Sequence, residues 1–414
     1  MKNKRNCFLI TNSYPYGERS FLDNEIKFLS INFENVYIFS LSEKCETRAQ
    51  LPENVTAFPL SINKKTFRKI RRFLRGFFDA RIKISSCTLR NRIFSYYSRG
   101  QFSYIVSSIQ KRIKNGKLDV SNAVFYSFWL HETAVACWFL RDYYAKKSKG
   151  CVSISRAHGG DLYSYRSEHN YLPFQKENIM NMDAIYACSS NGMQYLKEKY
   201  PSFQGKIFTA FLATQDYGIY KYNDSDSTCI TFVTCSFLRP LKRVSLFAKA
   251  FCKLLDKNHN LVWHCFGDGE EREIINEIVT SNGRQSNVHF YGNVNNEFVI
   301  NFYKTNRVDF FVNVSESEGL PVSIMEAMSF GIPAIATDVG GTSDLVSNNN
   351  GRLINKDITP NVLIDILAEE ISLPKKEQLA KRAMARQNWE QKFSAEKTYE
   401  KWCYDILSIK SKYK

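Results

Sequence analysis

The sequence predicts an α/β protein made of two doubly wound domains, each a parallel sheet flanked by helices. Three observations carry this. At 414 residues the chain is too long for one ordinary core. Short apolar strand candidates alternate with helical patterns for most of the length, as parallel sheets require. The alternation also halts and restarts across a polar, turn-rich stretch, Tyr217 to Thr228 (YGIYKYNDSDST).

In the first half the expected strands are Cys7–Thr11, Val36–Leu41, Val55–Leu60, Ala123–Phe128, Val152–Arg156, Ala184–Cys188 and Lys206–Phe211. In the second they are Ile230–Cys235, Val262–Phe266, Val288–Tyr291, Asp309–Val314 and Pro333–Thr337, and from Thr359 onward the pattern is helical only. The expected domains are therefore 1–218 and 228–390, with 391–414 as a C-terminal helix packing back toward the first domain. In this architecture ligands bind beyond the carboxyl ends of the strands, so the two sheets are expected to face a shared cleft. Neither half contains GxGxxG, which argues against a dinucleotide cofactor.

An apolar share of 44% with 24% charged residues is the balance of a folded protein. The longest apolar runs, Val308–Val314 and Ala123–Leu130, are too short to span a bilayer, and Cys7–Ile10 is too short for a signal-peptide core. A cytoplasmic location is the expectation. The 11 cysteines include no CxxC pair or zinc-like cluster, so reduced structural thiols and no metal are expected. The acids Asp224 and Asp226 fall in the polar linker, not after a buried strand, and are discounted as a metal site.

The net charge of +16 is concentrated: residues 64–114 hold fifteen Lys or Arg against one acid, Asp79, a net +14. Within it Phe67, Ile70, Leu74, Phe77 and Phe78 recur at helical spacing, with Arg68, Lys69, Arg71, Arg72 and Arg75 between them. A basic amphipathic helix of this kind suits an anionic membrane surface, with Tyr96, Tyr97, Phe102 and Tyr104 as further interfacial candidates. The same spacing also fits a core-facing helix with a solvated basic side.

The most informative stretch is Asn313 to Gly341, NVSESEGLPVSIMEAMSFGIPAIATDVGG. A buried strand runs into a loop with two acids, Glu316 and Glu318, then a Gly-Leu-Pro turn and a helix opening near Pro321, expected at the first helical position. The amides of Val322 and Ser323 would then point free donors out of a positive helix end, a site for phosphate. Glu326, one turn in, is placed to accept from a ribose diol. Gly340 and Gly341 leave room for close backbone approach.

This stretch strongly resembles the signature of family 4 retaining glycosyltransferases, which have the two-domain GT-B fold. Their mark is two glutamates eight positions apart around an E-G-[FL]-[GP] turn, here Glu318 and Glu326 flanking Gly319 and Leu320. The resemblance implies that Glu318 contacts donor-sugar hydroxyls and Glu326 the nucleotide ribose. The position usually held by a further glutamate is Asp344 here. Ile230–Phe251 resembles the family's first C-domain strand, loop and helix, whose basic pair binds the donor pyrophosphate. Lys242 matches its lysine, but the arginine position is Phe237, leaving Arg239 or Arg243 to compensate. Fixed cations and helix-end amides would stabilise the leaving diphosphate without a metal. Gly267, in FGDGE, resembles the glycine-rich turn after the second C-domain strand.

In the first half, Arg156–Tyr163 (RAHGGDLY) resembles a family motif at a strand end. It implies His158 against the donor sugar, and Asp161 ordering the loop or meeting the acceptor. Tyr14–Glu25 (YPYGERSFLDNE) resembles the first loop and helix of capsule and O-antigen members, with Gly17, Glu18 and Glu25 as acceptor-side candidates. The reading is a retaining transferase that moves a sugar from a UDP- or GDP-linked donor to a glycan or lipid-linked glycan in surface polysaccharide assembly. It needs no cofactor and sits on the cytoplasmic face of the inner membrane. The alternatives are another GT-B enzyme, of nucleotide-sugar epimerase or phosphorylase type, and a basic nucleic-acid-binding protein. No sequence context for a pyridoxal lysine and no RNA-binding motif appears, so no nucleic acid is expected.

Overall fold

A computed structural model shows the chain as two compact units, Met1–Phe211 with Tyr399–Lys414, and Leu212–Thr398. Residues 1–4, 17–21, 43–49, 62–65, 86–87, 168, 221–228, 258–259 and 412–414, and the side chains of 66–68, lie outside the described residues. So does most of the expected linker, 217–228.

The first unit holds seven parallel strands: β1 (Cys7–Thr11), β2 (Val36–Ser40), β3 (Val55–Pro59), β4 (Val124–Ser127), β5 (Val152–Ala157), β6 (Ala184–Ala187) and β7 (Ile207–Thr209). Their order, β3-β2-β1-β4-β5-β6-β7, is doubly wound, with the reversal between β1 and β4. Helices on both faces explain why β1, β4 and β5 are buried along their whole length; β1 and β4 read as mostly apolar runs, whereas β5 carries Ser153, Ser155 and Arg156. The Tyr399–Lys414 segment closes this unit: Trp402 Nε1 donates to Glu25 Oε1 at 2.8 Å, and its ring meets Tyr126 and Tyr186.

Helices Thr66–Phe78 and Leu89–Gly116 form a hairpin on this unit. They cross backbone to backbone. A Cβ on Gly76 would lie 1.8 Å from the Tyr96 carbonyl, and one on Gly100 1.9 Å from that of Arg72. The second helix reaches the core through Phe102, Ile105, Val106, Ile109 and Ile113. Phe102 is thus a core residue packed edge-on against Phe139, not an interfacial one, and Tyr96 sits in the seam against Phe73 and Phe77.

The second unit has six parallel strands: β8 (Ile230–Cys235), β9 (Leu261–Phe266), β10 (Val288–Gly292), β11 (Phe310–Asn313), β12 (Ala334–Thr337) and β13 (Gly351–Ile354). The order is β10-β9-β8-β11-β12-β13, with the reversal between β8 and β11. β13 is absent from the sequence expectation. It is a short edge strand, half of it only partly buried, and it pairs with β12 from Ala334↔Gly351 to Thr337↔Ile354. Leu212–Asp216 belongs to this unit because Trp389 Nε1 donates to Thr214 Oγ1 at 2.7 Å and Arg386 Nη1 to Asp216 Oδ1 at 3.0 Å. Among the described residues, no helix is long and apolar enough to cross a membrane.

Candidate functional site

In the second unit the crevice at the topological reversal is flanked by the loops after β8 and β11. Those loops supply Lys242 and Glu318. Lys242 Nζ lies 2.6 Å from Glu318 Oε1, and Asn313 Nδ2, at the end of β11, donates to the same oxygen at 3.2 Å. Asn313 Oδ1 in turn accepts from the Ser315 amide at 3.1 Å. Asn313 therefore holds both the loop and the carboxylate. Sequence reasoning passed over it; its position between a buried strand and the acidic loop was the available signal.

Arg243 has a left-handed backbone (φ 50). Its guanidinium donates to the carbonyls of Val314 at 2.7 Å, Ser315 at 3.2 Å and Lys356 at 2.7 Å. This is a correction to its expected place among the phosphate cations: Arg243 clamps the β11 loop. Arg239 is exposed, its guanidinium 5.4 Å from the Phe237 ring centre.

The helix after the Gly-Leu-Pro turn is Val322–Ser329, and Pro321 (φ −74, ψ 104) precedes it, so Pro321 is the flanking residue and not the first helical one. The chemistry expected of the helix end is unaffected by that shift. The first intrahelical donor is Ile324, to Pro321 O, and among the described residues the amides of Val322 and Ser323 meet no acceptor. Two free N–H groups at the positive end of the helix that follows Glu318 are donors of the kind that suit an anion. Leu320 is buried, and the Gly319 carbonyl accepts from Gly341 N at 2.8 Å. Gly340 (φ +56) passes so close that a Cβ would lie 1.9 Å from the Glu318 carbonyl.

One turn into the helix, Glu326 Oε1 accepts from Asn296 Nδ2 at 2.7 Å. Burial pushes the Glu326 carboxyl up to about 7, against the opposing effect of the Asn296 bond. Asn296, 30 residues away, was also passed over in the sequence. The Gly267 amide donates to Gly292 O at 2.9 Å, joining the turns after β9 and β10. Asp344 lies in the short helix Thr342–Leu345 and is half-buried.

In the first unit His158 directly follows β5. Its ring is held between Phe128 and Trp129, at centroid distances of 4.6 and 4.5 Å. Asp161 turns back on the loop, accepting from the amides of His158 at 2.8 Å, Gly159 at 3.1 Å and Leu130 at 2.8 Å. Burial raises the Asp161 carboxyl, but the adjacent imidazole and these N–H groups outweigh it and hold the group at about 2. Asp161 thus orders the loop. His158 Nδ1 is 4.0 Å from Asp161 Oδ2, and among the described residues neither ring nitrogen has a hydrogen-bond partner. The imidazole keeps its capacity for a ligand.

Gly17 and Glu18 lie outside the described residues. Glu25 is described, and it corrects an expectation. It is fully buried, 3.4 Å from Arg156 Nη1 and bonded by Trp402, so it is a structural acid and not an acceptor-side one.

Residues 221–389 match the family model described as Glycosyl transferases group 1. The chain is 35% identical over 108 residues to the O-antigen biosynthesis glycosyltransferase WbnH of Escherichia coli, covering 26% of this chain and 28% of that one. It is 27% identical over 250 residues to Protein CapJ of Staphylococcus aureus, covering 59% and 54%. It thus spans about half or less of the length of these relatives. Among solved structures, HepE of Anabaena in complex with UDP aligns over 98% of this chain and 100% of its own at a TM-score of 0.67 and 14% identity, a likeness of fold. Residues 221–389 thus match the glycosyl transferases group 1 family model, and the two Rossmann-like units share the fold of solved GT-B glycosyltransferases.

Proposed function

We propose that this chain is a retaining glycosyltransferase that moves a sugar from a UDP- or GDP-linked donor to a glycan or lipid-linked glycan of a surface polysaccharide. The observation that carries the reading is the Lys242–Glu318 pair, formed by the loops after β8 and β11, with the helix that follows Glu318 opening on the free amides of Val322 and Ser323 and holding Glu326 one turn in. A diphosphate matches the cation and the two N–H groups. A ribose diol matches a carboxylate already accepting one hydrogen bond, and sugar hydroxyls match Glu318.

In this reading Lys242 and the helix-end amides stabilise charge on the departing diphosphate, so the reaction calls for no metal. His158, in the first unit, has an imidazole with no hydrogen-bond partner among the described residues. The UDP complex of HepE and the surface-polysaccharide names of the relatives support the donor and pathway classes. The proposed location is peripheral, on the cytoplasmic face of the membrane.

The test is incubation with a panel of UDP- and GDP-sugars and surface-glycan acceptors. Product is followed by mass spectrometry, and its anomer is read by NMR. Transfer with retention, insensitive to a chelator, supports the proposal. An inverted product contradicts the retaining mechanism, and free sugar or an epimer formed without acceptor contradicts the transferase.

A further inference from the structure

We propose that the hairpin surface formed by residues 69–85 and 88–97 is a docking surface for an anionic bilayer, with Phe77 and Phe78 entering the boundary between headgroups and acyl chains. This gives the peripheral placement a physical basis, and the sugar-transfer reading does not depend on it.

The argument begins with which side of the first helix faces the protein. An amphipathic helix on a folded domain turns its apolar stripe inward and its cations to water. Here the arrangement is inverted. Ile70, Leu74, Phe77 and Phe78 are 60%, 48%, 51% and 78% exposed. The inward contacts come from Phe73 and Phe77 against the Tyr96 ring and, for the rest, from arginine. Arg72 Nη1 donates to Tyr97 OH at 2.7 Å and Gln101 Oε1 at 3.0 Å, and Arg75 bonds the hydroxyls of Ser103 and Ser107, each at 2.8 Å. From the second helix, Arg99 is buried and donates to the carbonyls of Gly76, Phe77 and Ile82, holding the C-terminal end of the first. With Gly76 and Gly100 at the crossing, this mixed seam fixes the helix with Ile70, Leu74 and Phe78, and half of Phe77, left exposed. The core-facing reading does not fit Ile70, Leu74 and Phe78, which are exposed. Leu89, Ile93 and Phe94 on the second helix are exposed as well.

Charge selects the occupant. The exposed cations Lys69, Arg71, Lys83 and Arg90 belong to the same hairpin, within a segment whose single acid, Asp79, is held by Arg81. A second copy would bring like charges together around the apolar patch. A soluble polyanion would satisfy the cations and leave four large apolar side chains in water. An anionic bilayer satisfies both, with cations at the headgroups and aromatic rings below them.

The test is cosedimentation of the full chain with phosphatidylglycerol-rich vesicles and with pure phosphatidylcholine vesicles, across a salt series. The chain should bind the anionic vesicles, release with salt, and ignore the neutral ones. Phe77→Ser/Phe78→Ser should lower the partition coefficient by about tenfold or more. Lys69→Glu/Arg71→Glu should do the same, and both variants should keep the wild-type nucleotide affinity, which separates this surface from the donor site. The proposal is overturned if anionic vesicles are not bound, or if the phenylalanine variant binds them as wild type does. It is also overturned if light scattering shows a dimer that the same substitutions dissolve, with no vesicle binding, or if a soluble polyanion binds and vesicles do not.

Discussion

Lys242 Nζ and Glu318 Oε1 are 2.6 Å apart, so the two charged side chains expected to grip opposite ends of a sugar diphosphate hold each other. A diphosphate that binds Lys242 competes with Glu318 for the same ammonium. Lys242→Ala should weaken nucleoside diphosphate binding by roughly ten- to hundredfold, the range of a hydrogen bond to a charged group. Glu318→Gln should bind the diphosphate at least as tightly as wild type, since the internal competitor is gone, while sugar transfer falls sharply. Calorimetry beside a transfer assay reads both.

Glu326 sets a pH dependence. With its carboxyl pushed up to about 7 by burial, the acceptor form is lost as pH falls through that value. Affinity for a nucleoside diphosphate should therefore rise about tenfold between pH 6 and pH 8, and Glu326→Gln should flatten that part of the profile. Stability runs the other way. A carboxyl raised above the ordinary 4.5 costs nothing while both states are protonated, and its cost grows as pH rises from 4.5 through 7. Glu326→Gln should accordingly be the more stable protein at pH 8, as urea denaturation would show.

Gly340 is the tightest backbone approach in the donor loop, and a methyl group there would sit 1.9 Å from the Glu318 carbonyl. Gly340→Ala should cost about 1–3 kcal/mol of stability. By shifting the Glu318 peptide it should also reduce transfer by about a hundredfold. A folded variant with wild-type kinetics would show that the position of the Glu318 backbone is unimportant.

Glu25 and Arg156 are both fully buried in the first unit, with the Arg156 guanidinium 4.5 Å from the Trp402 ring centre. Removing one partner strands the other charge, so Glu25→Ala should destabilise by about 3–5 kcal/mol. If Glu25 were instead an acceptor-side acid, the variant would unfold normally and lose only transfer.

The contrast between these residues explains what the sequence could reveal. The run from Asn313 to Gly341 is local: strand, acidic loop, turn and helix follow in order, and each residue type answers a need set by its neighbours. Among the described residues twelve of the thirteen strands were legible for the same reason, while Gly351–Ile354, which follows the polar run Ser347–Asn350 and carries Arg352, did not stand out. Glu25 was misread because its partners are remote, Trp402 lying 377 residues away. The first helix of the basic hairpin was legible as amphipathic. Which face it turns to the protein was not, because that depends on Gly100, Arg99 and Ser103 in a different helix.

The central claim is that the β8/β11 reversal of the second unit binds a nucleoside diphosphate, and calorimetric titration of the full chain with UDP, GDP, ADP and CMP tests it most directly. Saturable binding of UDP or GDP, weakened at least about tenfold in Glu326→Ala, is the predicted result. A folded protein that binds none of them, or binds one equally well with Glu326 removed, would contradict the account.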